Sequence, residues 1–107
     1  MNINVAELVK AAVPDAEGRN VRIISENGPN PRDPSFLSGD FPRSPPKLYF
    51  TAESEDFDES TLAEWRDEGF HVEYLAMGSG GEEYREKLRE LSTRGLGPCE
   101  TFGIIGT

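Results

Sequence analysis

The chain has one cysteine, one histidine and one tryptophan, and eleven basic residues against twenty acidic ones. Each scarcity excludes something. A single cysteine, Cys99, forms no internal disulfide, which points to a reduced, cytoplasmic setting. His71 stands alone, with no second histidine or cysteine at ligand spacing, so no metal and no other cofactor is expected. Apolar runs of about eighteen residues are missing, which leaves no membrane-spanning helix. The start, "MNINVAELVK", lacks the basic residues and long apolar stretch of a secretory leader. The shortage of bases sets the net charge at -9, and such a chain repels a phosphate backbone, so nucleic acid is not an expected partner.

What is present fits one small domain over residues 1–107, since 107 residues with 36% hydrophobic content bury a modest core. The charge is uneven. Residues 1–52 carry six acids and six bases, whereas 53–107 carry fourteen acids and five bases, so the second half holds the whole excess. That acidic half reads first as a solubilising surface and second as a docking face for a basic partner.

Along the chain, "NVAELVKAAVP" reads as a first helix. Asn4 is its N-cap, Glu7 completes a capping-box pattern, and Val5, Leu8, Val9 and Ala12 fall on one face. "VRIIS" (21–25) is a strand. Residues 28–46 hold six of the eight prolines, so neither a helix nor a central strand runs through them. Phe36, Leu37 and Phe41 in that loop argue for packing onto the body. Its two PxxP patterns, Pro31–Pro34 and Pro42–Pro45, fit ligands of aromatic grooves. Beyond it the rhythm is regular. "KLYFTA" (47–52) is a strand, and 58–69 a helix capped by Asp58 and ended by Gly69. "FHVEYLAM" (70–77) is a strand, "EEYREKLRELSTRG" a helix, and "TFGIIGT" a last strand, with Phe102, Ile104 and Ile105 as buried residues. Strand, helix, strand, helix, strand with short links predicts an α/β fold in three layers with a mostly parallel sheet.

Four features are candidates for chemistry. The glycine-rich "GSGG" lies between a strand and a helix, where such loops cradle phosphates. Gly78 and Gly80 fit G-x-G-x-x-G, but Glu83 stands at its third glycine, and Glu82 and Glu83 would occupy the first helical turn and repel an anion. His71 alternates with Val72 and so faces away from it, as a surface histidine does. Cys99 has Glu100 beside it, which disfavours a thiolate. Glu53, Glu55, Asp56, Asp58 and Glu59 form the densest carboxylate run, without calcium-loop spacing; they read as a solvated loop and helix cap.

The order "KLYFTAE", a helix ending "WRDEGFHVEYL", a glycine-containing turn, a second helix and a glycine-rich strand resembles the first half of an α/β-hydrolase. The similarity is to the dienelactone hydrolase family, above all its divergent fungal members, and the loop "GPNPRDPSFLSGDFP" resembles that branch too. It covers roughly residues 20–107. The resemblance implies hydrolysis of esters or lactones by a nucleophile, an aspartate and a histidine in that chain order, the nucleophile standing on the turn after the strand that "TFGIIGT" resembles. Residues 1–107 stop short of that turn. His71 and Cys99 both precede it, and only Glu53 occupies a family position, that of a glutamate contacting the nucleophile. The resemblance therefore implies a hydrolase-like domain inactive by itself, a binding or regulatory module or a truncated product. The alternative is a small ester or lactone hydrolase or isomerase completed by another chain. The last strand, apolar and without Lys or Pro, is expected as a sheet edge that pairs with a second copy in a homodimer.

Overall fold

A computed structural model describes residues 3–26, 40–41, 47–53, 57–75 and 78–105. Its elements are, in chain order, β1 (Ile3–Asn4), α1 (Val5–Ala12), β2 (Asn20–Glu26), β3 (Asp40–Phe41), β4 (Lys47–Ala52), α2 (Glu59–Asp67), β5 (Val72–Tyr74), α3 (Gly78–Thr93) and β6 (Cys99–Ile104). This is a small mixed α/β fold with three helices and an open four-stranded sheet in the order β5-β4-β2-β6. The ribbon β1–β3 stands apart and sets Ile3 opposite Phe41. Among the described residues no helix is long and apolar enough to cross a membrane.

Helix starts follow the capping chemistry of the sequence. The Asn4 side chain accepts the Glu7 amide at 3.2 Å and opens α1, whose Val5, Leu8, Val9 and Ala12 are all buried. Asp58 opens α2 by accepting the Ser60 amide at 3.0 Å and the hydroxyls of Ser60 and Thr61 at 2.6 and 2.9 Å. These side-chain hydrogen bonds hold its carboxyl below the usual aspartate range. Gly69 ends α2 at φ +102°, where a Cβ would meet nothing within 4 Å, so backbone geometry rather than space demands glycine.

The sheet corrects the expected pairing. Among the described strands, only β4 and β5 pair in parallel, while β2 runs antiparallel to both β4 and β6. Strands β4, β5 and β6 do share one direction, as strand–helix–strand links require. However, β2 runs antiparallel to β4 and fills the place between β4 and β6. The final strand is also shifted from its expected span, starting at Cys99 opposite Ser25 and ending at Ile104 opposite Asn20. Of the strand expected over 70–77, β5 holds Val72–Tyr74; it starts late because Phe70 donates its amide back to Trp65 at 2.9 Å, closing α2, and 76–77 lie outside the described residues.

Consecutive strand residues face opposite ways, and the core divides accordingly. Val21, Ile23, Leu48, Phe50, Ala52 and Val72 join α1 and Leu62 of α2 in one cluster. Ile24 and Tyr49 join Tyr84 and Leu91 of α3 in the other, with Leu88 packed against it. Ile105 is buried as expected. Phe102 and Ile104 are not: they are 61% and 58% exposed. They lie on the face that carries Ile24, but α3 covers β4 and β2 and stops short of the β6 edge. Of the proline-rich loop, only Asp40 and Phe41 belong to the described residues, as β3; Phe36, Leu37 and both PxxP patterns lie outside them.

Candidate functional site

Three strands end together. β4, β5 and β6 run the same way, so Ala52 and Ile104 stand at one end of the sheet, beside Val21 and Asn20 of β2. The helix after β4 joins the first core cluster and the helix after β5 joins the second, so the chain changes faces between them. In open α/β sheets, ligands bind in the crevice outside the carboxyl ends of strands where such a change occurs. A cavity of about 300 Å³ opens near that end of the sheet, lined by residues of β4, β2, β6 and α3 rather than of β5.

Its floor is the sheet face that α3 leaves bare. Arg22 sits in the centre, its Cα opposite Thr51 on one side and Phe102 on the other. One row outward, the Asn20 amide donates to Glu53 Oε1 at 3.1 Å. The Glu53 backbone is pinned as well: its carbonyl accepts from Arg19 Nη1 at 3.0 Å, and its amide donates to the Asn20 carbonyl at 3.3 Å. The roof comes from α3. Arg85 donates from Nη1 to the Gly80 carbonyl at 2.7 Å, which folds its guanidinium back over the opening turn of the helix. The Arg22 guanidinium lies 5.9 Å from the centre of the Tyr84 ring. Among the described residues, neither guanidinium forms an ion pair with a carboxylate, whereas Arg19, Arg66, Lys87 and Arg94 each do.

The start of α3 differs from its expected start in a way that bears on the cavity. Glu82 and Glu83 were expected in its first turn; the helix instead begins at Gly78, and its first turn holds no acid. Gly80 and Gly81 adopt φ of +71° and +82°, a backbone only glycine takes without strain. Glu82 and Glu83 nevertheless follow Gly80 of the cavity lining by two and three residues, so their charge still bears on an anion bound here. Next to Arg22, Tyr84 is 1% exposed, and among the described residues its hydroxyl meets no partner in full hydrogen-bonding geometry, with the Glu100 carboxylate beside it. Burial, and then the nearby Glu100 carboxylate, push its phenol far above the ordinary range.

A second cavity, about 240 Å³, lies at the opposite end of β4 and β5 and includes His71, Arg66 and Lys47. Its two cations are already engaged, Lys47 with Glu26 at 3.7 Å and Arg66 with Glu59 at 3.0 Å. His71 is exposed there, as its alternation with Val72 predicts.

The other candidates are dispersed. Cys99 opens β6 opposite Ser25, at the end of the sheet away from Glu53. His71 precedes β5, with two strands between it and β6, a separation of about 14 Å by strand spacing. Glu53 thus lines one cavity, His71 the other, and Cys99 is far from Glu53. Glu55 and Asp56 lie outside the described residues, and Asp58 and Glu59 serve α2. Among the described residues no three His, Cys, Asp or Glu side chains gather as a metal site requires.

Sequence reasoning missed Arg22, Arg85, Asn20 and Phe102. A trace of Arg22 was readable, because a guanidinium in the middle of the apolar "VRIIS" must emerge on a strand face. Arg85 left none, since it falls among the polar positions of an ordinary amphipathic helix. No protein-family model, no curated protein and no solved structure matches the chain.

Proposed function

We propose that the chain is a ligand-binding α/β module, hydrolase-like in architecture, that uses the end of its sheet for recognition rather than for covalent catalysis. The observation that carries this reading is the cavity on the α3 face of β4, β2 and β6, where two guanidiniums without carboxylate partners among the described residues, a fixed carboxylate and an exposed aromatic ring converge. Its size is at the lower limit for small-molecule sites, which suits a compact ligand. The three-layer, dienelactone hydrolase-like architecture belongs to the same proposal. Its support is the order of elements and the place of Glu53, which follows β4 and lines the cavity. A cytoplasmic setting is proposed on the single cysteine.

A second reading, a small ester or lactone hydrolase or isomerase completed by another chain, rests on Glu53. Its carboxylate is held by Asn20 and faces a cavity open enough for a partner to supply a nucleophile.

One experiment separates the two. Amide chemical shifts are followed while a library of small polar compounds is titrated in, and the same sample is assayed with aryl esters. The binding reading expects shifts gathered at Asn20, Arg22, Thr51 and Phe102, with no turnover above buffer. Turnover that vanishes in a Glu53→Gln variant would replace it with the second reading. Shifts gathered around Lys47 and His71 would move the site to the opposite end of the sheet.

A further inference from the structure

Three properties of the crevice, taken together, specify a ligand class. The first is charge. The chain carries -9, yet two arginines from different elements face this cavity without carboxylate partners among the described residues. Arg22 is held by the Tyr84 ring and Arg85 by the Gly80 carbonyl, so both are oriented at little further entropic cost. Two guanidiniums exceed what one carboxylate needs, since a single fork already binds it bidentately, whereas a phosphoryl group offers three oxygens. They also repel a divalent cation.

The second is the carboxylate. An ionised glutamate only accepts hydrogen bonds. Glu53 receives one from Asn20 at Oε1, and its remaining lone pairs call for donors from the ligand. Asn20 and Arg22 are two residues apart on one face of β2, about 7 Å along the strand. That is the span from a phosphoryl group to a hydroxyl farther along the same sugar. The third is Phe102, 61% exposed beside Arg22 and available as an apolar platform.

Resting on the reading of the crevice as a ligand site, we infer that it takes a small phosphate monoester bearing free hydroxyls, a sugar phosphate or a mononucleotide. The phosphoryl group binds Arg22 and Arg85, the hydroxyls donate to Glu53, and Phe102 carries the ring or base. At about 300 Å³ the cavity has no room for a dinucleotide.

The test is titration of the whole chain with inorganic phosphate, ribose phosphate, adenosine monophosphate and benzoate, read by calorimetry and by amide shifts. Ribose phosphate is expected to bind more tightly than inorganic phosphate. Arg22→Gln and Arg85→Gln should each weaken it about tenfold or more, as the loss of a charge-assisted hydrogen bond does. Arg89→Gln, which removes the same charge elsewhere on α3, should change it less than about twofold. Glu53→Ala should abolish the preference for ribose phosphate over inorganic phosphate while leaving inorganic phosphate bound. Tighter binding of adenosine monophosphate that Phe102→Ala removes identifies a nucleotide; equal binding identifies a sugar phosphate. If benzoate shifts the crevice amides and the phosphates do not, the phosphate class is overturned while the binding module stands. If none of the four compounds shifts them, this inference falls, and the library titration then decides the module by itself. An Arg89→Gln effect equal to that of Arg22→Gln would reduce the binding to general electrostatics and overturn the site.

Discussion

Replacing Tyr84 by phenylalanine should stabilise the chain. The ring is 1% exposed and packs with Ile24, Tyr49 and Leu91, all of which contacts phenylalanine keeps. Among the described residues the buried hydroxyl meets no partner in full hydrogen-bonding geometry, and burying a hydroxyl unpaired costs about 1–3 kcal/mol by mutational measure. Removing it recovers the lower part of that range, about 1 kcal/mol, because the Glu100 carboxylate beside it offsets part of the cost by hydrogen-bond and charge interaction. For a domain of this size that is roughly a 4–8 °C rise in Tm. Denaturant titration at neutral pH measures it, with an unchanged m value as the sign that only stability has moved. A second arm uses pH. The Tyr84 phenol is raised far above its ordinary value of 10.0, so the folded chain keeps the proton that the unfolded chain releases. Stability from this group is complete below pH 10 and declines above it, by about 1.4 kcal/mol per pH unit. The phenylalanine variant should lose that share of the decline and retain the part due to Tyr49, whose phenol burial also raises. A variant less stable than the parent by about 1 kcal/mol would refute the reasoning, because it would mean that the hydroxyl is bonded in the folded chain, to Glu100 above all.

Three further outcomes are expected. Leu62→Ala should cost about 2–5 kcal/mol in denaturant titrations, since Leu62 is fully buried where α2 meets the sheet; a cost under about 1 kcal/mol would mean that α2 is not docked there. Gly69→Ala should cost about 1–2 kcal/mol from backbone strain alone, because its Cβ meets no neighbour within 4 Å; a neutral substitution would contradict the positive φ that ends α2. Sedimentation should reveal self-association through the β6 edge that strengthens with salt as acidic repulsion is screened, and Ile104→Lys should abolish it. A monomer at every concentration and salt level would remove that proposal.

The helices were legible because their signals are local. Asn4 and Asp58 name their own caps, and the spacing of Val5, Leu8, Val9 and Ala12 needs only the helical period. Strand β4 was legible for the same reason, as "KLYFTA" lies between prolines and a carboxylate run. Pairing was not, because the direction of β2 depends on what lies between it and β4, and a proline-rich loop carries no rule of handedness as a crossover helix does. The exposure of Phe102 and Ile104 was hidden for a related reason. An apolar alternating strand looks the same whether or not a helix reaches far enough to cover it. The crevice was the least legible part, since Arg22, Glu53 and Arg85 come together only through the antiparallel register of β2 and the turn of chain into α3.

The position of β2 also governs the order in which the chain can assemble. The central strand pairs on one side with β4 and on the other with β6, so that Val21 meets Ala52 first in sequence and Gly103 last. During synthesis β2 emerges early and holds one unpaired row of amides and carbonyls until residue 104 has left the ribosome. Helices α1, α2 and α3 form on the way, yet the pairing that joins both halves of the sheet must close a loop from Ser25 to Cys99, about two-thirds of the chain. Non-local pairing of this kind slows folding relative to a helical domain of the same size. The interval in which β2 waits, apolar and half paired, is when a chaperone or a second nascent chain has its best opportunity to bind it.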